Sequence, residues 1–263
     1  MKTHLISKGL LLNNNAIEPT PAIIAVIPAA GVGKRMQAHC PKQYLTFLGK
    51  TILEHTVERL LSHPNICQVV IALGKNDGYF PQLSLAKQPE VITVIGGKER
   101  VDSVMAGLKV IDSKLNPWVL VHDAARPCVT HQDINKLINT CLSSQIGGLL
   151  ATPVRDTMKR SVAAHNTNQI LVQCTEQREG LWHALTPQMY RVDEMQASIK
   201  KALSEKVQIT DESSAIEFAG LPSQLISASS DNIKITRPDD LALAEFIVMK
   251  QLSQTTQTEL INE

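Results

Sequence analysis

The segment "AVIPAAGVGKRM" (25–36) carries the residue types that polyphosphate chemistry needs. Ala29, Ala30, Gly31 and Gly33 have almost no side chain, so their backbone N–H groups can close on phosphate oxygens. Lys34, Arg35 and Lys42 add three cations within nine residues. Two familiar phosphate loops fail here on specific residues. A dinucleotide fingerprint needs a third glycine where this chain has Met36, and an acidic residue about 20 positions further on. A P-loop needs a hydroxyl after Gly33-Lys34, and Arg35 stands there instead. A glycine turn bearing solvated cations stays open for this stretch taken alone.

The elements that must position such a loop alternate along the chain. "AIIAVIPA" (22–29) is a continuous apolar run, as expected of a strand buried on both faces. In "TILEHTVERLLSH", Leu53, Val57, Leu60 and Leu61 share a helical face, and Thr51 with Glu54 forms a capping box. "CQVVIAL" (67–73), "VITVI" (91–95), "WVLVHD" (118–123) and "GGLLATPV" (147–154) read as further strands. Helical stripes fall between them at Val101, Val104, Met105, Leu108 and Ile111, and at Ile134, Leu137, Ile138, Cys141 and Leu142. "SQLISA" and "NIKIT" read as short late strands, and Thr236 with Asp239 as the cap of a last helix with Pro238 in its first turn. The fold class is therefore α/β: a Rossmann-like, predominantly parallel sheet with helices on both faces and ligands at the carboxyl ends of its strands. Segment 155–176, "RDTMKRSVAAHNTNQILVQCTE", breaks the rhythm and reads as a β-hairpin arm. A two-stranded ribbon with so little apolar surface needs something to pack on, and a partner subunit is the economical candidate. Residues 22–251 read as one domain, 1–21 as a loose N-terminal extension rather than a signal peptide, and 252–263 as a polar tail.

Bulk properties remove several function classes. The net charge of +1 gives no global attraction to nucleic acid or an anionic membrane, and 3% aromatics leaves little for base stacking. No run approaches the ~18 apolar residues of a membrane span. Five scattered cysteines without a CxxC argue against a disulfide framework or zinc site, and a cytoplasmic location is expected.

"AAGVGKRM", followed by "PKQ", resembles the loop of nucleotidyltransferases that join a nucleoside triphosphate to a sugar phosphate. "PKQYL", "GGKERVDSV", "VLVHDAARP", "PVRDTMKR", "GLWHALTPQ", "ITDESSAIEF" and "DNIKITRPDDLALAE" then occur in the order of the 2-C-methyl-D-erythritol 4-phosphate cytidylyltransferases. The resemblance spans about residues 23–250. It implies transfer of CMP from CTP to methylerythritol phosphate, with release of pyrophosphate, in the non-mevalonate isoprenoid route. It implies Mg2+ as cofactor and a homodimer joined through the arm, with no nucleic acid or membrane partner.

The same resemblance implies roles. Arg35, Lys42 and Lys234 are the catalytic cations; Ala29, Ala30, Gly31 and Gly33 give backbone donors. Gly97 and Ser103 contact the cytosine, Arg100 orders their loop, and Asp123 and Ala124 complete the nucleotide site. Lys98 stands where the family commonly has an acidic residue, so only a backbone contact survives there. Asp123, with Asp231 as a second candidate, is the expected metal ligand; otherwise Asp123 caps the turn after its strand. Thr157 and Arg178, at the two feet of the arm, reach the acceptor of the partner subunit, while Thr186, Thr210 and Asp211 bind the polyol. His122 reads as structural, since no second histidine sits at ligand spacing. The rival readings are a cytidylyltransferase for another polyol phosphate, such as ribitol 5-phosphate, and a non-catalytic nucleotide-binding dimer. A NAD-dependent dehydrogenase is disfavoured by Met36.

Overall fold

Alternate residues of the first strand, β1 (Ile23–Pro28), enter different cores. Ile23, Ala25 and Ile27 point into one, Ile24 and Val26 into the other, because side chains alternate along a strand. The computed structural model describes residues 22–31, 40–163 and 169–262. Gly33, Lys34, Arg35 and most of the arm's "HNTNQ" therefore lie outside the described residues.

After β1 come a small hairpin of β2 (Thr46–Phe47) and β3 (Lys50–Thr51), then α1 (Ile52–Leu61), β4 (Ile66–Leu73), β5 (Val91–Ile95), α2 (Arg100–Leu108) and β6 (Trp118–Val121). α3 (His131–Ser144), β7 (Gly148–Pro153), the arm strands β8 (Met158–Ala163) and β9 (Ile170–Glu176), and β10 (Trp182–Arg191) follow. α4 (Val192–Ser204), α5 (Glu212–Phe218), β11 (Gln224–Ser227) and α6 (Pro238–Asn262) complete the chain. Among the described residues the main sheet has seven strands, in the order β11-β7-β10-β6-β1-β4-β5. β4 and β6 flank β1 in parallel, whereas β10 is antiparallel to both β6 and β7. The sheet is thus mostly parallel, with one reversed strand. Successive connections from β1 run first toward β4 and later to β6, so the chain changes direction beside the end of β1, where such sheets bind ligands.

α1 and α3 cover one face through Leu53, Val57, Leu60, Ile134, Leu137, Ile138 and Cys141. α2, α4 and α5 cover the other through Val104, Leu108, Met195, Ile199 and Ile216. The capping box of α1 is present: Thr51 Oγ1 accepts from the Glu54 backbone N–H, and Glu54 accepts from that of Thr51. α2 lies so close to β1 that a Cβ on Gly107 would sit 2.5 Å from Val26 Cγ1. This contact seats the last turn of α2 directly on β1.

Four details differ from the sequence reading. β6 ends at Val121, so Asp123 lies two residues beyond the strand, in the turn. "NIKIT" forms no strand; its Ile235 N–H bonds the Ala125 carbonyl at 2.9 Å and its side chain joins a third core with Ala244, Ile247 and Val248 of α6. The start of α6 is closed by Asp240 rather than Asp239: the Asp240 carboxylate accepts from the N–H groups of Thr236 and Arg237 and from the Thr236 hydroxyl. α6 also runs on to Asn262, through the segment read as a polar tail.

β8 and β9 pair antiparallel with each other as a separate two-stranded sheet, and all but Glu176 of their residues are exposed. Val162, Ile170, Leu171 and Val172 are large apolar side chains left in solvent there.

Replacing Gly107 by alanine is expected to lower the urea unfolding free energy by about 1–2 kcal/mol, because overpacking against Val26 outweighs the roughly 1 kcal/mol gained in helix propensity. An unchanged or raised urea midpoint would show that α2 can move off β1 without cost.

Candidate active site

A cleft of about 190 Å³ opens at the carboxyl edge of the sheet, lined by residues from five separate stretches of chain. Pro28 to Gly31 leave the end of β1; Lys42 and Gln43 come from the turn before β2; 97–100 and Ser103 form the loop into α2; 123–125 and Lys234 close the far side. Gln43, 3% exposed, donates its side-chain amide to the Ala29 carbonyl at 2.7 Å and so holds the small-residue turn in place. The Lys42 ammonium donates to the Ile235 carbonyl at 3.0 Å, beside Lys234 in the chain.

The loop before α2 is drawn tight over the sheet. Ser103, 2% exposed, accepts from the Gly97 N–H at 3.1 Å. A Cβ on Gly97 would lie 2.2 Å from that of Asp102, so no other residue fits without moving the helix start. Lys98 and Glu99 are exposed at the rim of the cleft.

Asp123 organises the floor. One carboxylate oxygen accepts from Arg100 Nε at 3.1 Å; the other lies 2.8 Å from Lys234 Nζ and 3.5 Å from Arg126 Nε. Burial alone would raise the pKa of this carboxyl, but Arg100, Lys234 and Arg126 hold it well below the usual range. The Arg100 fork continues to Glu212, with Nη1 and Nη2 at 2.6 and 3.1 Å from its two oxygens. Burial pushes the Glu212 carboxyl upward, and the guanidinium opposes that.

These five stretches correspond to five of the motifs, in one linear order. The profile of the 2-C-methyl-D-erythritol 4-phosphate cytidylyltransferase family matches residues 23–250. The chain belongs to this family. A cytidylyltransferase of that name from Colwellia psychrerythraea is 60% identical over 239 residues, 90% of this chain and 98% of the relative. One from Vibrio cholerae is 56% identical over 227 residues, 86% of this chain and 96% of the relative. Among solved structures, the Francisella tularensis cytidylyltransferase is 33% identical with a TM-score of 0.71, covering 86% of this chain and 99% of its own.

The cleft brings together most of the residues expected of a cytidylyltransferase nucleotide site: Ala29, Ala30, Gly31, Lys42, Gly97, Arg100, Ser103, Asp123, Ala124 and Lys234 all line it. Gly33 and Arg35 lie outside the described residues. The acceptor residues do not line it. Thr157 and Arg178 are exposed at the feet of the arm, where Arg178 donates to the Arg155 carbonyl. Thr210 is exposed, and Asp211 caps α5 while accepting from Gln188 Nε2 at 2.9 Å. Thr186 is 4% exposed and turned inward, its hydroxyl accepting from the Asp123 N–H at 3.0 Å. Asp231 pairs with Lys250 at 3.3 Å, away from the cleft lining.

A hydrogen-bonded chain supports Asp123 from behind. His122 is fully buried, and its Nε2 lies 3.0 Å from the Arg126 carbonyl, which can only accept. Nε2 therefore carries the proton, and Nδ1 accepts from the Thr186 hydroxyl at 3.0 Å. Arg126 Nη1 donates to the Asn232 carbonyl at 2.7 Å, and Asn232 Nδ2 to the Thr186 carbonyl at 2.8 Å. The structural reading of His122 holds. Arg126, Glu212, Gln188 and Asn232 had no assigned role in the sequence; their signal is a polar group within an otherwise buried stretch, which only the fold reveals.

Burial lowers the His122 pKa from 6.5 to about 4, so the folded state binds fewer protons than the unfolded state between those values. Its contribution is complete above pH 6.5 and is withdrawn as pH falls toward 4, on the order of 3 kcal/mol across the window. His63 and His131 shift in the same direction by burial and add to the slope. Denaturant titrations at pH 6.5 and 4.5 should lose less stability in His122→Asn than in wild type; equal losses would mean that the imidazole titrates freely.

Proposed function

We propose that this cytidylyltransferase moves CMP from CTP to 2-C-methyl-D-erythritol 4-phosphate through the cleft beside β1 and β6. An acceptor phosphate oxygen attacks the α-phosphorus in line. The new P–O bond forms as the bond to the β-phosphate oxygen breaks, and pyrophosphate leaves with that electron pair. The products are 4-diphosphocytidyl-2-C-methyl-D-erythritol and pyrophosphate, within isoprenoid biosynthesis. The attacking oxygen is already anionic, so no general base is required. Positioning and charge neutralisation are the protein's task.

The observation that carries this reading is the meeting of Lys42, Lys234, the Ala29–Gly31 turn and the Asp123 cluster in one cleft. In the proposal Lys42 and Lys234, with Arg35, bear on the triphosphate, and the backbone of residues 29–31 donates to its oxygens. Gly97 and Ser103 face the cytosine. Thr210 and Asp211 take the polyol, and Thr186 acts from behind by fixing the Asp123 backbone. Nucleotidyltransferases of this kind generally depend on a metal. We assign Mg2+, held by Asp123 together with substrate phosphates, since one or two carboxylates plus phosphates are its usual ligands. Asp123 places one carboxylate at the cleft, whose oxygens an ion would share with Arg100, Lys234 and Arg126, and the described residues contain no group of three His, Cys, Asp or Glu that would hold an ion without the phosphates. Asp231 is paired with Lys250 and is the weaker candidate. Bound there, Mg2+ would neutralise charge developing on the phosphates.

The arm supports a homodimer in this proposal. Its exposed Val162, Leu171 and Val172 would find a partner surface, bringing Thr157 and Arg178 to the acceptor bound by the second copy. No helix among the described residues is long and apolar enough to cross a membrane, and the proposed location is the cytoplasm.

The test is pyrophosphate release from CTP and Mg2+ with methylerythritol phosphate, ribitol 5-phosphate or no acceptor. Release is expected with methylerythritol phosphate alone, and Lys42→Ala and Lys234→Ala should each lower kcat by about 10²–10³, as for loss of a preorganised charge-stabilising donor. Release with ribitol 5-phosphate instead would replace the acceptor. CTP binding without release under any condition would favour a non-catalytic nucleotide-binding dimer. For the arm, Val162→Glu with Val172→Glu should move the protein to monomer mass in sedimentation and abolish turnover; an active monomer would remove the arm from catalysis.

A further inference from the structure

Glu212 occupies the first turn of α5, 2% exposed, with both carboxylate oxygens on Arg100. The third guanidinium nitrogen, Nε, holds Asp123. One planar group therefore spans two carboxylates from distant parts of the chain. The start of α5 is fastened on its other side to β10: Gln188 donates to Asp211 Oδ2 at 2.9 Å and accepts from the Ser213 N–H at 2.8 Å. Thr210 and Asp211, assigned above to the acceptor, directly precede Glu212. Arg100 begins the helix that carries Ser103, which holds the Gly97 loop assigned to the base. A buried ion pair is seldom the most stabilising filling for such a space, since apolar residues of equal volume often serve as well. Its geometry here matters more than its energy: every guanidinium nitrogen is aimed.

We infer that Glu212 is a positioning residue that couples the acceptor and nucleotide halves of the site by locking Arg100 onto Asp123. The inference rests on the cytidylyltransferase reading above. Displacing the carboxylate frees the fork, and Asp123, the Gly97 loop and the 210–211 turn then lose their common reference. Glutamine at 212 keeps the shape but removes the charge and turns an N–H₂ group toward the guanidinium. Aspartate keeps the charge at the cost of one methylene.

In Glu212→Gln, CTP binding measured by calorimetry without acceptor is expected to weaken about tenfold, and the acceptor KM at saturating CTP to rise by a similar factor, within the usual range for coupled sites. Glu212→Asp should recover more than half of both changes on a logarithmic scale. Melting temperatures are followed in parallel, and binding is measured well below them. Wild-type CTP affinity and acceptor KM in Glu212→Gln would overturn the inference, whatever its melting temperature. A change confined to CTP binding would overturn it too, leaving Glu212 as a prop for Arg100 alone. Wild-type protein that binds CTP but releases no pyrophosphate would instead overturn the reaction, because the calorimetric arm needs no turnover.

Discussion

Asp123 is the fixed point of this molecule. Its carboxylate is 10% exposed yet charged, because three cations surround it: Arg100, Arg126 and Lys234. Removing one partner from such a buried cluster leaves a charge that the interior cannot solvate, which is far costlier than the cluster is stabilising. Each cation arrives on a different element. α2 brings Arg100, the turn after β6 brings Arg126, and the segment before α6 brings Lys234. The constraint therefore runs outward from one side chain to α2, to the turn after β6 and to the segment that leads into α6.

The sheet makes that cluster affordable in geometric terms. Alternation along β1 and β4 fills two separate cores with branched apolar side chains, so the strands leave the polar business to their carboxyl ends. There the chain switches direction, and the gap receives small residues from one strand and charges from its neighbours. The tie from Gln43 to Ala29 and the tight Gly97 loop on Ser103 are local devices that hold two walls of the cleft in place.

What could be read in the sequence was whatever has a short-range cause. The apolar run of 22–29 had to be a buried strand, and Thr51 with Glu54 had to begin a helix, because spacing alone produces both outcomes. The nucleotide wall was legible for the same reason: small residues and cations lie within a few positions of each other. β10 was opaque because reversal of a strand depends on which neighbours it pairs with, not on its own pattern. "NIKIT" has a strand's composition, but its partner, Ala125, lies far away and offers one hydrogen bond where a ladder needs several. Glu212 had no signal in the sequence beyond its place in "ITDESSAIEF". Only the fold brings Arg100, 112 positions earlier, to its carboxylate.

The link from Lys42 to the Ile235 carbonyl spans 193 positions, and Ile235 is itself sealed by α6. This has a consequence for biosynthesis. The small-residue turn at 29–31 is synthesised first, and the wall bearing Lys234 follows about 200 residues later. Until α6 docks, the cleft has three walls and an open side, and contacts of such long range form slowly because so much chain must first be closed into a loop. The last strand of the sheet, β11, and the wall bearing Lys234 come from one stretch of chain, so the sheet and the phosphate-handling site are completed together.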